Sequence, residues 1–202
     1  GIVITARQHP GESLSSYMMQ GVIDFLCSEE EEAAFLRDSC IFKLIPMMNP
    51  DGVIHGNYRT GLAGVDLNRR WKKTKKTLYP TVHAAKHLIQ NFGSTRRLDS
   101  SAISMDIAES IFIISGLLIK CFLRILSGKA PSFMVVLTPK TQQNPATALY
   151  PLEDHDMFSF ESSRFTIHKS KESTARVALW REYKIPNIFT LEASFFGYDS
   201  SD

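Results

Sequence analysis

The sequence has 202 residues, 44% of them hydrophobic, and its 23 Lys and Arg against 21 Asp and Glu leave a net charge of +2 with a pI near 8.4. That length supports one substantial core, since two domains would each be small, and the near-neutral balance gives no global case for nucleic-acid binding. Three cysteines, Cys27, Cys40 and Cys121, are odd in number and lack a C-x-x-C spacing, which indicates neither a disulfide framework nor a cysteine zinc site and fits a reducing, intracellular compartment.

The chain opens on GIVITAR without an initiator Met and without a signal-like apolar stretch, which reads as a fragment of a longer protein. Gly1 to Arg7 is rich in β-branched residues and predicts a strand, broken by Gln8-His9-Pro10-Gly11-Glu12. Leu14, Met18, Val22 and Phe25 recur at helical spacing, predicting a helix from about Ser13 to Cys27. The four acids Glu29 to Glu32 read as a solvated helix start or loop. Ile41 to Met48 is a short apolar run, long enough for a buried strand and too short for a stable helix. Strand, helix and strand in that order predict an α/β sheet with functional loops gathered at the strand ends.

Asn49 to Trp71, NPDGVIHGNYRTGLAGVDLNRRW, concentrates Asn49, Asp51, Asn57, Arg59, Asp66, Asn68 and Arg69 among four glycines. This composition suits a polar pocket better than a core. NPDG reads as a tight turn, the later glycines allow close backbone approach to a ligand, and Arg59 with Asn68-Arg69 supplies planar donors suited to a carboxylate or oxyanion. Six cations then fall in the eight residues from Arg69 to Lys76, ordinarily a wet face, but beside such a loop able to concentrate an acidic substrate. Pro80 starts a helix to about Phe92 that buries Val82, Ala85, Leu88 and Ile89. His83 and His87 are four apart on it, a spacing that can bind metal.

From Gly93 to Tyr150 the pattern weakens. Ile111 to Ile119 is apolar but only nine residues long, well short of the ~20 that span a bilayer, and Thr138 to Thr147 reads as a loop. Lys171 to Lys184 predicts a helix and Asn187 to Ala193 a buried strand. That strand carries one carboxylate, Glu192, and an acid near the end of an apolar strand suggests chemistry.

His9 and Glu12 stand three apart across a strand-to-helix turn, a pair zinc accepts, although H-x-x-E alone is as readily a surface turn. ARQHPGES, NPDG, GNYR, LAGVDLNRRW and TLEASFFG together resemble the zinc metallocarboxypeptidases, in particular the cytosolic branch that trims glutamates from tubulin and other acidic tails. The resemblance implies Zn2+ as cofactor with His9 and Glu12 as metal ligands, and Glu192 and Arg59 as catalytic. It further implies that Asn68 and Arg69 hold the substrate's terminal carboxylate and that Arg176 faces an acidic side chain. The implied fold is α/β, a three-layer α/β/α sandwich with a mixed central sheet truncated at its N-terminus. The 202 residues then form a single, incomplete catalytic domain with residues 93–150 divergent.

The implied activity is removal of C-terminal residues, glutamate above others, from acidic protein tails in the cytoplasm, with neither nucleic acid nor membrane as partner. The resemblance runs from Ile2 to about Phe92 and from Phe158 to Asp199. The family's third ligand sits in a D-L-H-G-H-S-like motif, and the local echo here, Met105 to Ser110, has no histidine. His155 is a possible replacement. A module that binds acidic C-termini without catalysis is the alternative, and acylases sharing the H-x-x-E motif are a weaker third reading, disfavoured by the complete NPDG to DLNR block.

Overall fold

A computed structural model describes residues 1–95, 101–105, 166–185 and 187–193. Four strands, β1 (Ile2–Ala6), β2 (Phe42–Ile45), β3 (Ser101–Met105) and β4 (Asn187–Leu191), form one sheet in the order β2-β1-β3-β4. All three pairings are parallel. Every residue of β1 is buried, as expected of a central parallel strand covered on both faces, where β-branched residues run without alternation. The sequence pattern placed no strand at Ser101–Met105, yet β3 pairs along its whole length with β1 on one side and β4 on the other.

The helices are α1 (Leu14–Leu26), α2 (Glu31–Ser39), α3 (Pro50–Ile54), α4 (Pro80–Thr95) and α5 (Ala175–Tyr183). The predicted face of α1 is largely the observed one, with Met18, Met19, Val22, Phe25 and Leu26 buried. The acidic run becomes the first turn of α2, where carboxylates meet the positive end of the helix dipole. Arg37 of α2 reaches back to the carbonyls of Leu26 and Ser28 at 2.8 and 2.9 Å, satisfying acceptors that the end of α1 leaves open.

Three expectations need adjustment. β2 is half-buried rather than buried, because it stands at the end of the strand order and carries Lys43. Asn49-Pro50-Asp51-Gly52 is the start of α3 rather than a free turn: the Asn49 side chain accepts from Gly52 N at 3.0 Å and Pro50 occupies the first turn, an N-cap with proline where no donor is missed. The last helix begins at Ala175, after a 3-10 turn over Lys169–Lys171. The stretches 111–119 and 138–147 lie outside the described residues.

Burial is continuous from Ile2, Val3 and Ile4 through Met18, Met19, Val22 and Ile89 to Ala178, Leu179 and Ile188. Trp71, 1% exposed, is among the largest fully buried side chains. Consecutive strands β1 and β2 flank one side while β3 enters on the other, so the chain direction across the sheet reverses between β1 and β3. In parallel α/β sheets such a switch point opens a crevice beyond the carboxyl ends of the strands.

Candidate active site

At the carboxyl end of β1 the backbone turns through Arg7, whose φ of 53° is left-handed, a region that costs a non-glycine residue about 1–2 kcal/mol. Three contacts hold it there: Arg7 N donates to Ser15 Oγ at 3.2 Å, Nε to the Pro10 carbonyl at 2.9 Å and Nη1 to Ser16 Oγ at 2.8 Å. The bend delivers His9, 0% exposed, and Glu12, 5% exposed, to the crevice. Glycine lets the next loop lie directly on this turn. A Cβ on Gly11 would stand 2.5 Å from the Tyr58 ring and 2.8 Å from its carbonyl, closer than atoms pack.

His9 Nδ1 lies 2.9 Å from Glu12 Oε2, and His9 Nε2 lies 2.9 Å from Asp66 Oδ1. Both ring nitrogens therefore face carboxylates. Two donors that share a tetrahedral zinc at ~2.0–2.2 Å stand ~3.3 Å apart, so the His9 and Glu12 atoms need move only tenths of an ångström to fit that ion. A carboxylate on the remaining ring nitrogen is the usual support of a metal-binding histidine. Among the described residues no group of three or more His, Cys, Asp or Glu is arranged to hold a metal. Positions 107 and 108 and His155 lie outside the described residues.

Asp66 is the hub of the site, although no local pattern singles it out from its polar neighbours. It is brought beside Arg59 by a narrow bend in which Thr60 and Asp66 form an antiparallel bridge and Gly64 takes a φ of 67°. Its carboxylate accepts from His9, from Arg59 Nε at 2.8 Å and from Asn68 N at 2.8 Å. Burial pushes its carboxyl upward, but the His9 hydrogen bond and the charges of His9, Arg59 and Arg69 outweigh burial and hold it well below the usual carboxylate range. Arg59 Nη1 also stands 3.6 Å from Glu12 Oε1.

Asn68 is 1% exposed, and its Oδ1 accepts from Ala175 N, the first backbone N–H of α5, at 2.9 Å. Only the oxygen can accept, so this bond fixes which way the amide faces. Arg69 Nη1 donates to the Asn68 carbonyl at 3.2 Å and lies 3.9 Å from Asp66 Oδ2. Asn49 and Asn57, grouped with the pocket by composition, instead brace the loop: Asn49 Nδ2 donates to the Gln8 carbonyl at 3.1 Å and Asn57 Nδ2 to the Thr60 carbonyl at 3.1 Å.

Glu192 follows directly on β4, half-buried between buried Leu191 and Ala193. Ala6, Met105 and Leu191 are in register, so β1 and β4 end at the same edge of the sheet, two strands or ~10 Å apart, with His9 three residues beyond one end and Glu192 directly after the other. Arg176 is electrostatically coupled to Glu192; burial pushes its guanidinium down to about 10 and the Glu192 charge opposes that. Lys171, which the sequence pattern did not single out, belongs to the same group. Burial pushes its ammonium down, Arg69, Arg176 and Arg59 add to the effect, and Glu192 opposes it. The signal that could have found it is its place five residues before Arg176 in KSKESTAR.

The crevice thus combines a histidine-carboxylate pair suited to zinc, a half-buried glutamate and four cations. The profile of the zinc carboxypeptidase family matches residues 1–96. The chain is 35% identical to cytosolic carboxypeptidase 1 of Gallus gallus over 98% of its own length and 16% of that protein's. It is 38% identical to cytosolic carboxypeptidase 4 of Homo sapiens, over 96% and 17%, and 35% identical to cytosolic carboxypeptidase 2 of Danio rerio, over 100% and 26%. It therefore spans between about a sixth and a quarter of these relatives. Among solved structures, a metallo-carboxypeptidase from Pseudomonas aeruginosa in complex with (2-guanidinoethylmercapto)succinic acid superposes with a TM-score of 0.62 at 24% identity, over 95% of this chain and 47% of that one. A carboxypeptidase A-like protein from Shewanella denitrificans gives 0.63 at 20%, over 93% and 46%.

Proposed function

This chain belongs to the zinc carboxypeptidase family, and we propose that its crevice removes C-terminal residues, glutamate above others, from acidic protein tails of the kind tubulin carries, in the cytoplasm. The observation that carries the reading is the buried pair of His9 and Glu12 at 2.9 Å with Asp66 on the far ring nitrogen. His9 Nδ1 and Glu12 would hold the zinc, which when bound supplies a Lewis acid and lowers the pKa of a bound water toward ~7. Glu192 takes the proton released as the water oxygen adds to the scissile carbonyl carbon, and returns it to the amine as the C–N bond breaks. Arg59 donates to the carbonyl oxygen as charge builds there. Asn68, with its oxygen engaged by Ala175, turns its Nδ2 donors toward the substrate's terminal carboxylate beside Arg69.

The preference for an acidic residue draws support from Arg176 and Lys171, two cations clustered with Glu192. The names of the cytosolic relatives support the location, and no helix among the described residues is long and apolar enough to cross a membrane.

A second reading, a module that captures acidic C-termini without cleaving them, is favoured by one observation: the described residues supply two protein ligands, where catalytic zinc sites use three and a water. Zinc titration combined with mass spectrometry of an acidic peptide separates the two. One zinc per chain with stepwise loss of C-terminal glutamates is the expected result. Peptide binding without zinc or cleavage selects the second reading.

A further inference from the structure

We propose that the loop from Lys72 to Lys76 is a docking surface for the acidic stretch of the substrate chain that precedes the residue removed. This rests on the reading of the crevice as a grip for acidic C-termini. Between Arg69 and Lys76 six of eight residues are cationic and none is acidic. Lys72, Lys73, Lys75 and Lys76 are all exposed. The acids flanking and within α5, Glu172 and Glu182, are committed to Arg181 and Lys86, so they do not offset this charge.

The loop is also held in place, which an incidental wet face does not require. Trp71, 1% exposed, donates from its indole to Gln8 Oε1 at 2.7 Å, next to His9, and its carbonyl accepts from Lys86 Nζ at 2.8 Å. Trp71 N donates to the Ser173 carbonyl at 3.3 Å, and Tyr79 N to the Lys75 carbonyl at 2.9 Å. Thr74 Oγ1 lies 3.1 Å from His83 Nδ1, and the Arg70 guanidinium sits 5.7 Å from the Tyr79 ring centroid. Buried side chains thus anchor both ends while four like charges face water. Those charges repel one another, and an anionic strand laid along them relieves the repulsion.

The chemistry of the loop favours an acidic peptide over nucleic acid. Both aromatic residues of the segment, Trp71 and Tyr79, are buried, so neither offers a face on which a base could stack. Its exposed cations are lysines, flexible point charges without the planar fork that reads phosphate geometry. Such a surface tolerates variation in sequence and spacing, as a run of acids demands. The loop exposes four lysines, so about four upstream acids match its charge, beyond which added length should gain little.

The test measures binding, and so stands independently of turnover. Fluorescence anisotropy is recorded for labelled glutamate peptides of about eight residues and of two, each with a free or an amidated C-terminus, against the full chain. The variant K72S/K73S/K75S/K76S should bind the long peptides roughly sixteenfold more weakly in both terminal forms, at about twofold per lysine, and the short peptide unchanged. Replacing the same four lysines by arginine should restore affinity, excluding misfolding as the cause. The loss should vanish near 1 M salt, where the Debye length falls to ~3 Å. Equal losses for short and long peptides, no loss at all, or an RNA homopolymer competing as well as polyglutamate would overturn the proposal. Arg69→Ala weakening free and amidated peptides alike would instead sink the carboxylate grip and leave the loop's role standing.

Discussion

Asn68 offers a way to separate holding the fold from the proposed holding of a substrate, because its Oδ1 is engaged within the fold while its Nδ2 is proposed to meet the substrate's carboxylate. Its Oδ1 accepts from the buried N–H of Ala175 at 2.9 Å. Asn68→Ala leaves that N–H unpaired, a cost of about 1–3 kcal/mol, which for a chain of this size lowers the melting temperature by roughly 3–10 °C. Asn68→Asp keeps an acceptor at the same place, with Arg69 adjacent, and should melt within a few degrees of the parent. Toward a substrate the order reverses. The aspartate replaces an N–H donor by a negative oxygen, so a peptide carboxylate loses a charge-assisted bond of ~1.5–3 kcal/mol and meets a like charge worth up to about 4 kcal/mol at 4 Å and an effective dielectric of 20. Affinity for peptides with a free C-terminus should fall at least ~100-fold, and amidated peptides should be little affected. Thermal melts and anisotropy titrations of both variants are the assay. An Asn68→Asp protein that melts like the parent and still binds free C-termini with parental affinity would refute the assignment.

Three further outcomes follow from the described contacts. Asp66→Asn removes the carboxylate behind His9 and should weaken zinc by 10- to 100-fold in a chelator competition, with Arg59 losing its 2.8 Å partner as well. Lys86→Met leaves the Trp71 carbonyl without its 2.8 Å donor and should cost about 1–3 kcal/mol in denaturant unfolding, whereas Glu182→Gln, at a side chain 46% exposed, should cost well under 1 kcal/mol. Burial, the Glu182 charge and a Glu182 hydrogen bond push the Tyr183 phenol up to about 12. A phenol raised above its unfolded value of ~10 stabilises the fold below pH ~10 and loses that contribution as pH rises through 12. Tyrosinate absorbance should therefore show a late-titrating group that Glu182→Gln shifts to lower pH.

What could be read from the sequence was whatever a local pattern encodes. The β-branched run of β1, the apolar spacing of α1 and the lone acid after β4 each stand out within a few residues. Asn49-Pro50-Asp51-Gly52 looked like a turn because helix N-caps and turns use the same residues; the Gly52 N–H bond to Asn49 decides between them. β3 was missed since Ser101–Met105 gains its strand character from pairing with β1 and β4, not from its own composition. Asp66 could be counted among the polar residues of its loop, but its role depends on a histidine 57 positions away. Lys171 is likewise defined by neighbours from three separate segments. Local chemistry named candidates; only the fold shows which of them meet.

The most direct test of the proposed activity is the release of free glutamate from a labelled acidic peptide by the zinc-loaded chain, followed by mass spectrometry for the parent and for Glu192→Gln. The account predicts stepwise trimming from a free C-terminus by the parent, none from the amidated peptide, and a rate at least ~100-fold lower for Glu192→Gln, since general acid-base catalysis contributes 10²–10⁴-fold. Trimming of both peptides alike, or a Glu192→Gln protein as fast as the parent, would contradict it.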